Sequence, residues 1–451
     1  MSTLTFLGAT GAVTGSKFLF GDVLLDCGLY QGAMRRENWR PLGVPVDAMS
    51  AVVLSHAHLD HCGYLPVLVR DGFRGPVYAT AHTSELAAIV LRDSAKLLAD
   101  EARLANRQGW SKHRPALPLY TEDDVARALA RIVPIEVGDT EALQGGGSLH
   151  LHHAGHILGS AWTEVTAPDG RRIVHSGDLG RPGHPLLRPP EPFEGADALL
   201  VESTYGDGRH DDETGERVFA EAITRTLDRG GSVVIPAFAV DRTEVVLFHL
   251  NRMRRAGQLP QVPIYVDSPM ALAAREVYLK AISEGAPELR EGLGPEVLIP
   301  EPLYELHTAD ESCLVNRPGV PSIIISASGM ATGGRVLHHL AALLPDPRTT
   351  VLIVGFAAVG TRARSLVEGA RSVKIHGRYV PVRAEVVNVP GFSVHADADE
   401  IIGWLRQATE PPATTYVVHG ETGSSARLRD RIIDELGWHA VVPRLGERVL
   451  V

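Results

Sequence analysis

A dense cluster of metal-binding side chains follows a short apolar segment near the start of the chain. Residues 55–63 read SHAHLDHCG and come directly after the apolar residues AVVL. Imidazole and carboxylate groups are the ligands that catalytic zinc uses, and loops after strands are where such groups are usually held. In HAHLDH the ligand-type residues alternate with other residues, so their side chains point in different directions and can reach two separate metal positions. We therefore expect His56 and His58 to reach one metal ion, and Asp60 and His61 to reach a second.

Each ion needs further ligands, because catalytic zinc keeps three or four protein contacts and a water. The candidates stand where strand-like segments end near glycine: His156 in HAGHILGS, Asp178 in VHSGDLG and His419 in VVHGE. Other histidines carry no spacing argument and are interpreted as ordinary surface or core residues: His82, His152, His153, His175, His249 and His439.

Composition describes an ordinary globular protein with more than one domain. The 451 residues are too many for a single core. No apolar segment is long enough to span a bilayer, and the N-terminus does not resemble a signal peptide, so we expect no membrane contact. Three cysteines cannot form a disulfide framework, which favours a cytoplasmic location. The net charge of −10 argues against nucleic acid as a partner only on average, because phosphates respond to local potential and to bound metal ions.

The strand and helix patterns divide the chain into an outer domain and an inserted domain. Short strands separated by glycine dominate the first 205 residues, with a helix expected at about 84–107. Over 206–370, strand-like segments such as SVVIPAF and SIIISAS alternate with helical ones, which indicates a parallel sheet. Strands resume in 371–451. We expect an α/β domain at 206–370 inserted into a domain formed by 1–205 and 371–451.

Ordered motifs along the chain resemble one enzyme family. The HxHxDH cluster with its later ligands is similar to the metallo-β-lactamase superfamily. Six further motifs resemble its β-CASP RNA-processing nucleases, which include the cleavage-and-polyadenylation endonuclease and its prokaryotic relatives: VESTYGD, IPAFAVDR, VDSPMA, SASGMATGGR, GFSVHAD and VHGE. The resemblance implies an α/β fold class, an αββα metallo-β-lactamase sandwich with an inserted α/β β-CASP domain. One departure is Asp241, where relatives usually carry glycine.

The resemblance also implies roles for individual residues. It places two Zn²⁺ per chain, with manganese or iron as alternatives. The ligands of one ion are His56, His58, His156 and Asp178, and those of the other are Asp60, His61, Asp178 and His419. Asp26 in LLDCG would orient a ligand histidine. Asp60 would also accept a proton, and His395, paired with Glu202, would protonate the leaving oxygen.

The expected activity is hydrolysis of RNA phosphodiester bonds, through a hydroxide that bridges the two metal ions. His419 favours RNA over DNA, because the DNA-repair branch of the family typically has valine in the last motif. Internal cleavage is favoured, with exonuclease action as an alternative, and the RNA is expected to be single-stranded. The glycine-rich SASGMATGGR segment and four arginines are candidate substrate contacts: Ser328, Gly329, Thr332, Gly333, Arg242, Arg362, Arg364 and Arg378.

Two other functions stay open from the sequence. One is hydrolysis of another ester or a thioester on the same outer fold, although the long insertion with its own motifs counts against it. The other is a non-catalytic RNA-processing partner, although such members have usually lost metal ligands and none is lost here. Oligomerisation cannot be inferred from the sequence.

Overall fold

A computed structural model describes residues 2–109, 111–389 and 391–451, and these residues form strands and helices in two compact units. The strands, numbered along the chain, are β1 (Thr3–Phe6), β2 (Phe18–Phe20), β3 (Val23–Leu25), β4 (Ala51–Val53), β5 (Val77–Ala79), β6 (Ile132–Pro134), β7 (Thr140–Ala142), β8 (Ser148–His153), β9 (Ala161–Thr166), β10 (Arg172–His175), β11 (Ala198–Val201), β12 (Val233–Pro236), β13 (Ile264–Val266), β14 (Leu303–Glu305), β15 (Ile323–Ser326), β16 (Thr350–Ile353), β17 (Ser372–Ile375), β18 (Arg378–Pro381), β19 (Glu385–Asn388), β20 (Thr414–Val417), β21 (Ala440–Val441) and β22 (Arg448–Leu450).

The α-helices connect these strands. They are α1 (Leu59–Cys62), α2 (Leu65–Arg70), α3 (Ala81–Gln108), α4 (Glu122–Leu129), α5 (Asp212–Asp228), α6 (Arg242–Arg255), α7 (Pro269–Glu284), α8 (Ala309–Leu314), α9 (Val336–Leu343), α10 (Arg362–Val367), α11 (Ala398–Leu405) and α12 (Thr422–Arg431). Short 3₁₀ helices occupy Gly32–Trp39, Val46–Ala48 and Pro295–Leu298, and a π-helical turn occupies Ile432–Leu436. In the part of the chain that is described, no helix is long and apolar enough to cross a bilayer.

The first unit comprises residues 1–209 and 395–451. It contains two seven-stranded sheets, with strand orders β22-β1-β2-β3-β4-β5-β6 and β21-β20-β11-β10-β9-β8-β7. Alternate residues of both sheets meet in one apolar core, where Phe6 and Phe18 of the first sheet join Leu151 and Leu200 of the second. The other face of the second sheet packs against α11 and α12, through side chains such as Trp404. Helices outside two facing sheets form the predicted αββα sandwich.

The second unit comprises residues 210–394 and is built on a parallel sheet. Its strand order is β14-β13-β15-β12-β16-β19, and every neighbouring pair is parallel. Val233 and Ile235 of β12 face a core formed with α5, α6 and α7, whereas Val234 faces a second core formed with α9 and α10. Because both faces are covered by helices, the strands are apolar throughout.

Residues 371–389 and 391–394 lie in this second unit, whereas the sequence pattern predicts that they belong to the outer domain. β17 and β18 form an antiparallel hairpin, and β19 continues the parallel sheet beside β16. The apolar segment AEVVNVPG predicts a strand equally well in either unit. The segment belongs to the second unit because β19 pairs with β16, residues 350–353. A local apolar pattern does not reveal which distant strand a segment pairs with.

The start of α6 shows how the chain accommodates Asp241 in place of glycine. Asp241 adopts φ +68°, a region that favours glycine, and Arg242 N donates to Val240 O at 2.9 Å across this tight turn. Its buried carboxylate accepts a hydrogen bond from the Tyr278 hydroxyl, with Oη and Oδ1 2.7 Å apart. The helix therefore begins directly after the aspartate, and the hydrogen bond offsets part of the backbone strain.

Candidate metal centre

The motif at residues 55–63 leaves the end of β4 and forms the short helix α1, with His58 as its N-terminal cap. The chain at Gly28 passes close to this helix. A Cβ on Gly28 would lie 1.6 Å from the backbone oxygen of Asp60, so only glycine fits. Ser16 N also donates to that oxygen at 2.8 Å. These backbone contacts fix the direction in which the motif side chains leave the strand.

Four of the predicted ligands meet in one group, in which the ligand atoms all lie within 4.8 Å of one another: His56, His58, His156 and Asp178. His58 Nδ1 lies 3.1 Å from His56 Nε2 and 3.3 Å from His156 Nε2. Three imidazole nitrogens and one carboxylate at this spacing form a donor set that suits a four-coordinate zinc ion.

A second group of ligand atoms lies beside the first and contains Asp60, His61 and His419. The Nε2 atoms of His61 and His419 are 3.1 Å apart, and His419 Nε2 lies 3.8 Å from Asp60 Oδ2. His419 adopts φ +48°, a conformation that L side chains rarely adopt and that is found preferentially at functional sites.

The carboxylate of Asp178 lies between the two groups. Its Oδ2 is 3.5 Å from His56 Nε2, while its Oδ1 is 3.3 Å from His61 Nε2 and from His419 Nδ1. Oδ1 is buried and accepts no hydrogen bond from the described residues. Because a buried carboxylate oxygen needs a partner, this atom fits a position facing a cation.

The protonation states around this carboxylate mostly agree with metal ligation. Burial alone would raise the pKa of Asp178, but His419 and His61 lower it well below its usual value, so the group is ionised. Burial lowers the pKa of His56 well below its usual value, which keeps that imidazole neutral. Burial would also lower the pKa of His61, but Asp178 and Asp26 raise it well above the usual value. A metal ion that binds at His61 must therefore displace a proton.

A layer of polar groups behind the ligands orients them. Asp26 is buried, and its Oδ2 lies 2.6 Å from His61 Nδ1. Ser55 donates to both oxygens of this carboxylate, from its backbone N to Oδ1 at 2.8 Å and from its hydroxyl to Oδ2 at 3.0 Å. The same hydroxyl oxygen lies 3.0 Å from His56 Nδ1. With a proton on Nδ1 of His56 and of His61, Nε2 is the atom of each ring that binds metal, after the additional proton of His61 is displaced.

Sequence reasoning found Asp26 through the family resemblance but missed two neighbours. They are Ser55 and Thr204, whose Oγ1 lies 3.2 Å from His419 Nδ1. His175, interpreted from the sequence as an ordinary residue, has its Nε2 3.7 Å from Asp26 Oδ2. The position of Ser55 immediately before His56 was the available signal. Burial holds the pKa of His175 at about 4, so it is a neutral packing partner, and its ring contacts Phe18 at 5.2 Å.

The predicted proton donor lies at the edge of the first ligand group. His395 Nδ1 is 3.4 Å from Glu202 Oε1 and 3.8 Å from Asp178 Oδ2, and the His395 side chain is 15% exposed. Glu202 is fully buried and accepts a hydrogen bond from Leu179 N at 2.7 Å. The structure thus brings His395 and Glu202 together with the predicted metal ligands.

The predicted substrate contacts all lie in the second unit, in the segment between β15 and α9 and on neighbouring elements. Ser328 Oγ lies 3.1 Å from Thr332 Oγ1. A Cβ on Gly329 would lie 2.8 Å from the ring of Phe238, so this glycine is required for packing. Gly333 has open space around it.

The four arginines predicted to contact RNA differ in how far their guanidinium groups are exposed and in their contacts within the protein. Arg242 is only 3% exposed, so its guanidinium is not offered to solvent. Arg362 donates to the backbone oxygens of Lys374 and Ala331, and Arg364 pairs with Glu368 at 2.6 Å. Arg378 is exposed.

Several histidines outside the centre have structural surroundings. His152 stacks on Trp162 with ring centroids 3.7 Å apart, and His249 packs on Phe392 at 4.4 Å. The exposed His439 lies 3.3 Å from the hydroxyl of Thr414. These contacts agree with the interpretation of these residues as ordinary histidines.

Comparison with known proteins identifies the family. A model described as a beta-lactamase superfamily domain matches residues 22–237, and a Beta-Casp domain model matches 243–366. A model described as a Zn-dependent metallo-hydrolase RNA specificity domain matches 379–443. A ribonuclease of Thermus thermophilus is 38% identical over 98% of this chain and 99% of its own length. The chain belongs to the β-CASP family of metallo-β-lactamase-fold ribonucleases.

Two archaeal relatives extend this comparison. An RNase J-like protein of Methanocaldococcus jannaschii is 33% identical over 94% of this chain and 93% of its own length. A transcription termination factor FttA from the same organism is 30% identical over 91% of this chain and 65% of its own length. The β-CASP membership confirms the predicted family, fold class and enzyme class, a metal-dependent ribonuclease. The Zn-dependent family description agrees with a donor set dominated by histidine.

Proposed function

We propose that the chain hydrolyses phosphodiester bonds of single-stranded RNA with two zinc ions, and that it cleaves internally. The observation that carries this proposal is the position of the Asp178 carboxylate, whose two oxygens face the two histidine groups separately. One carboxylate that faces two ligand sets would be suited to help hold two metal ions, which together can activate water for hydrolysis.

The ligand side chains divide between two ions in this proposal. His56, His58 and His156 would hold one ion, Asp60, His61 and His419 would hold the other, and Asp178 would contribute to both. When bound, the ions activate water and offset the negative charge that develops on the phosphorus. Ser55 and Asp26 hold the imidazoles of His56 and His61 in the orientation and tautomer that leave Nε2 available.

Side chains of the protein carry out two proton transfers in this proposal. Asp60, which belongs to the second ligand group, would accept the proton of the attacking water. His395 donates a proton to the oxygen that leaves the phosphorus, and Glu202 holds the imidazole in place through its contact at 3.4 Å. The Glu202 carboxylate also offsets the positive charge of protonated His395.

Purified protein tests this function with a single-stranded RNA labelled at either end. We expect internal products with wild-type protein and their loss in His58→Ala and Asp178→Ala, with an unchanged far-UV circular dichroism spectrum. His439→Ala, which removes an exposed histidine outside the centre, serves as the matched control and keeps activity. Full cleavage by either ligand variant refutes the assignment, and release of single nucleotides only, from one end, refutes internal cleavage.

We further propose a cytoplasmic location. Cys27 and Cys62 are buried and Cys313 is exposed, and none of them forms a disulfide. Free thiols persist in a reducing compartment.

A further inference from the structure

The hairpin of β17 and β18 presents one face to the core of the second unit and the other to solvent. Val373 and Ile375 of β17 are buried in the core formed with α9 and α10. Lys374 lies between them, points to the opposite face and pairs across the hairpin with Tyr379. The Tyr379 side chain is 74% exposed, so the outer face carries a cation beside an uncovered aromatic ring.

The segment that contains this hairpin is strongly basic in an acidic protein. Between residues 362 and 383 there are six arginine and lysine residues and one acidic residue, Glu368, whereas the whole chain has a net charge of −10. Glu368 is paired with Arg364. Lys374 and Arg378 are exposed and form no ion pair among the described residues. Their positive charge is therefore available to an external anion.

Neighbouring elements hold the hairpin in place. Arg362 Nε donates to Lys374 O at 2.7 Å, while its Nη1 donates to Ala331 O at 3.0 Å. At the hairpin turn, the ring of His376 lies 4.6 Å from that of His338 on α9. The exposed side chains thus stand on a strand pair that is fixed at its turn and along β17, which limits the entropy lost when a ligand binds.

We propose that Lys374, His376, Arg378 and Tyr379, here called the basic hairpin surface, bind a single-stranded segment of the RNA substrate. Lys374 and Arg378 contact phosphates, His376 adds a hydrogen-bond donor, and a base stacks on Tyr379. A cationic surface with an exposed aromatic ring suits single-stranded nucleic acid, because the backbone is anionic and every base has a π face. This inference rests on the proposed function and names a substrate contact outside the metal centre.

The test measures binding to a short fluorescent oligouridylate at several KCl concentrations, in an Asp178→Asn background that prevents cleavage. Each phosphate contact on single strands contributes about 0.7 to the slope of log K against log salt. Lys374→Gln/Arg378→Gln is expected to reduce this slope by about 1.4. The control Arg252→Gln/Arg255→Gln, which removes two charges from α6, is expected to leave it unchanged. Melting temperatures verify that each variant is folded.

The variant Tyr379→Ala distinguishes binding of RNA from binding of other anions. We expect it to weaken oligouridylate binding about tenfold with an unchanged salt slope, because stacking involves no counterion. Binding of inorganic polyphosphate, which has no bases, should respond to the double charge variant but not to Tyr379→Ala. Equal losses for both ligands in Tyr379→Ala, or an unchanged slope in the double charge variant, overturn the inference. RNA cleavage by wild-type protein is measured separately, so a failure of the proposed function is recognised independently.

Discussion

Ser55 Oγ lies 3.0 Å from Nδ1 of His56. The same hydroxyl donates to Asp26, whose carboxylate contacts His61 at 2.6 Å. One serine therefore connects a ligand of the first metal group with a ligand of the second. Gly177 makes room for it, because a Cβ on Gly177 would lie 2.7 Å from the Cβ of Ser55.

Removal of this hydroxyl should weaken metal binding. We expect Ser55→Ala to lower zinc affinity and RNA cleavage about 10- to 100-fold, as is typical when a group that orients a metal ligand is lost. Zinc affinity is measured by competition with a chromophoric chelator. Ser16→Ala is the matched control, since Ser16 Oγ is buried without a hydrogen-bond partner among the described residues. Equal zinc affinities in the two variants would show that Ser55 does not orient His56.

His395 should matter most when the leaving group needs a proton. We expect His395→Ala to lower the rate of RNA cleavage about 10²- to 10⁴-fold. A p-nitrophenyl ester of a nucleotide, whose leaving group departs without protonation, should lose much less. The ratio of the two rates in wild type and variant provides the measurement. An equal loss on both substrates would contradict the role of His395 as proton donor.

The sequence supported the fold and the first half of the metal centre more directly than the rest. Four ligand-type side chains within residues 56–61 are visible locally, because their spacing follows from one strand end. His156 and His419 were candidates from their positions at strand ends near glycine, but their convergence depends on the pairing of distant strands, so the assignment of each to one ion came from the family resemblance. Ser55 was missed because its role depends on hydrogen bonds that the spacing does not encode.

Partly exposed strands limited the prediction of the second unit. The hairpin β17–β18 and the edge strand β14 have only three or four residues each, and several of these are exposed. Their weak apolar patterns resemble those of loops. Strands such as β12 and β15 also have four residues each, but all four are buried, and their nearly continuous apolar sequences predict a strand.

Glu244, a buried glutamate on α6, should lower the free energy of unfolding as the pH rises from acidic values. Burial, followed by the nearby Asp241 carboxylate, raises the pKa of Glu244 well above its usual value. Between the unfolded and folded pKa values the unfolded chain has lost the proton that the folded chain retains, so stability falls as pH rises. We expect Glu244→Gln to match wild type near pH 4 and to gain up to about 1.4 kcal/mol per pH unit above that. Urea unfolding followed by circular dichroism measures this difference, and a gain that does not change with pH would contradict the prediction.

A zinc titration of metal-free protein tests the central claim most directly. RNA cleavage and bound zinc are measured on the same samples as ions are added. If Asp178 joins two ions in one centre, cleavage should stay low after the first equivalent, rise with the second and then reach a plateau, and Asp178→Asn should show no such rise. Full cleavage by metal-free protein, or by Asp178→Asn, would contradict the account.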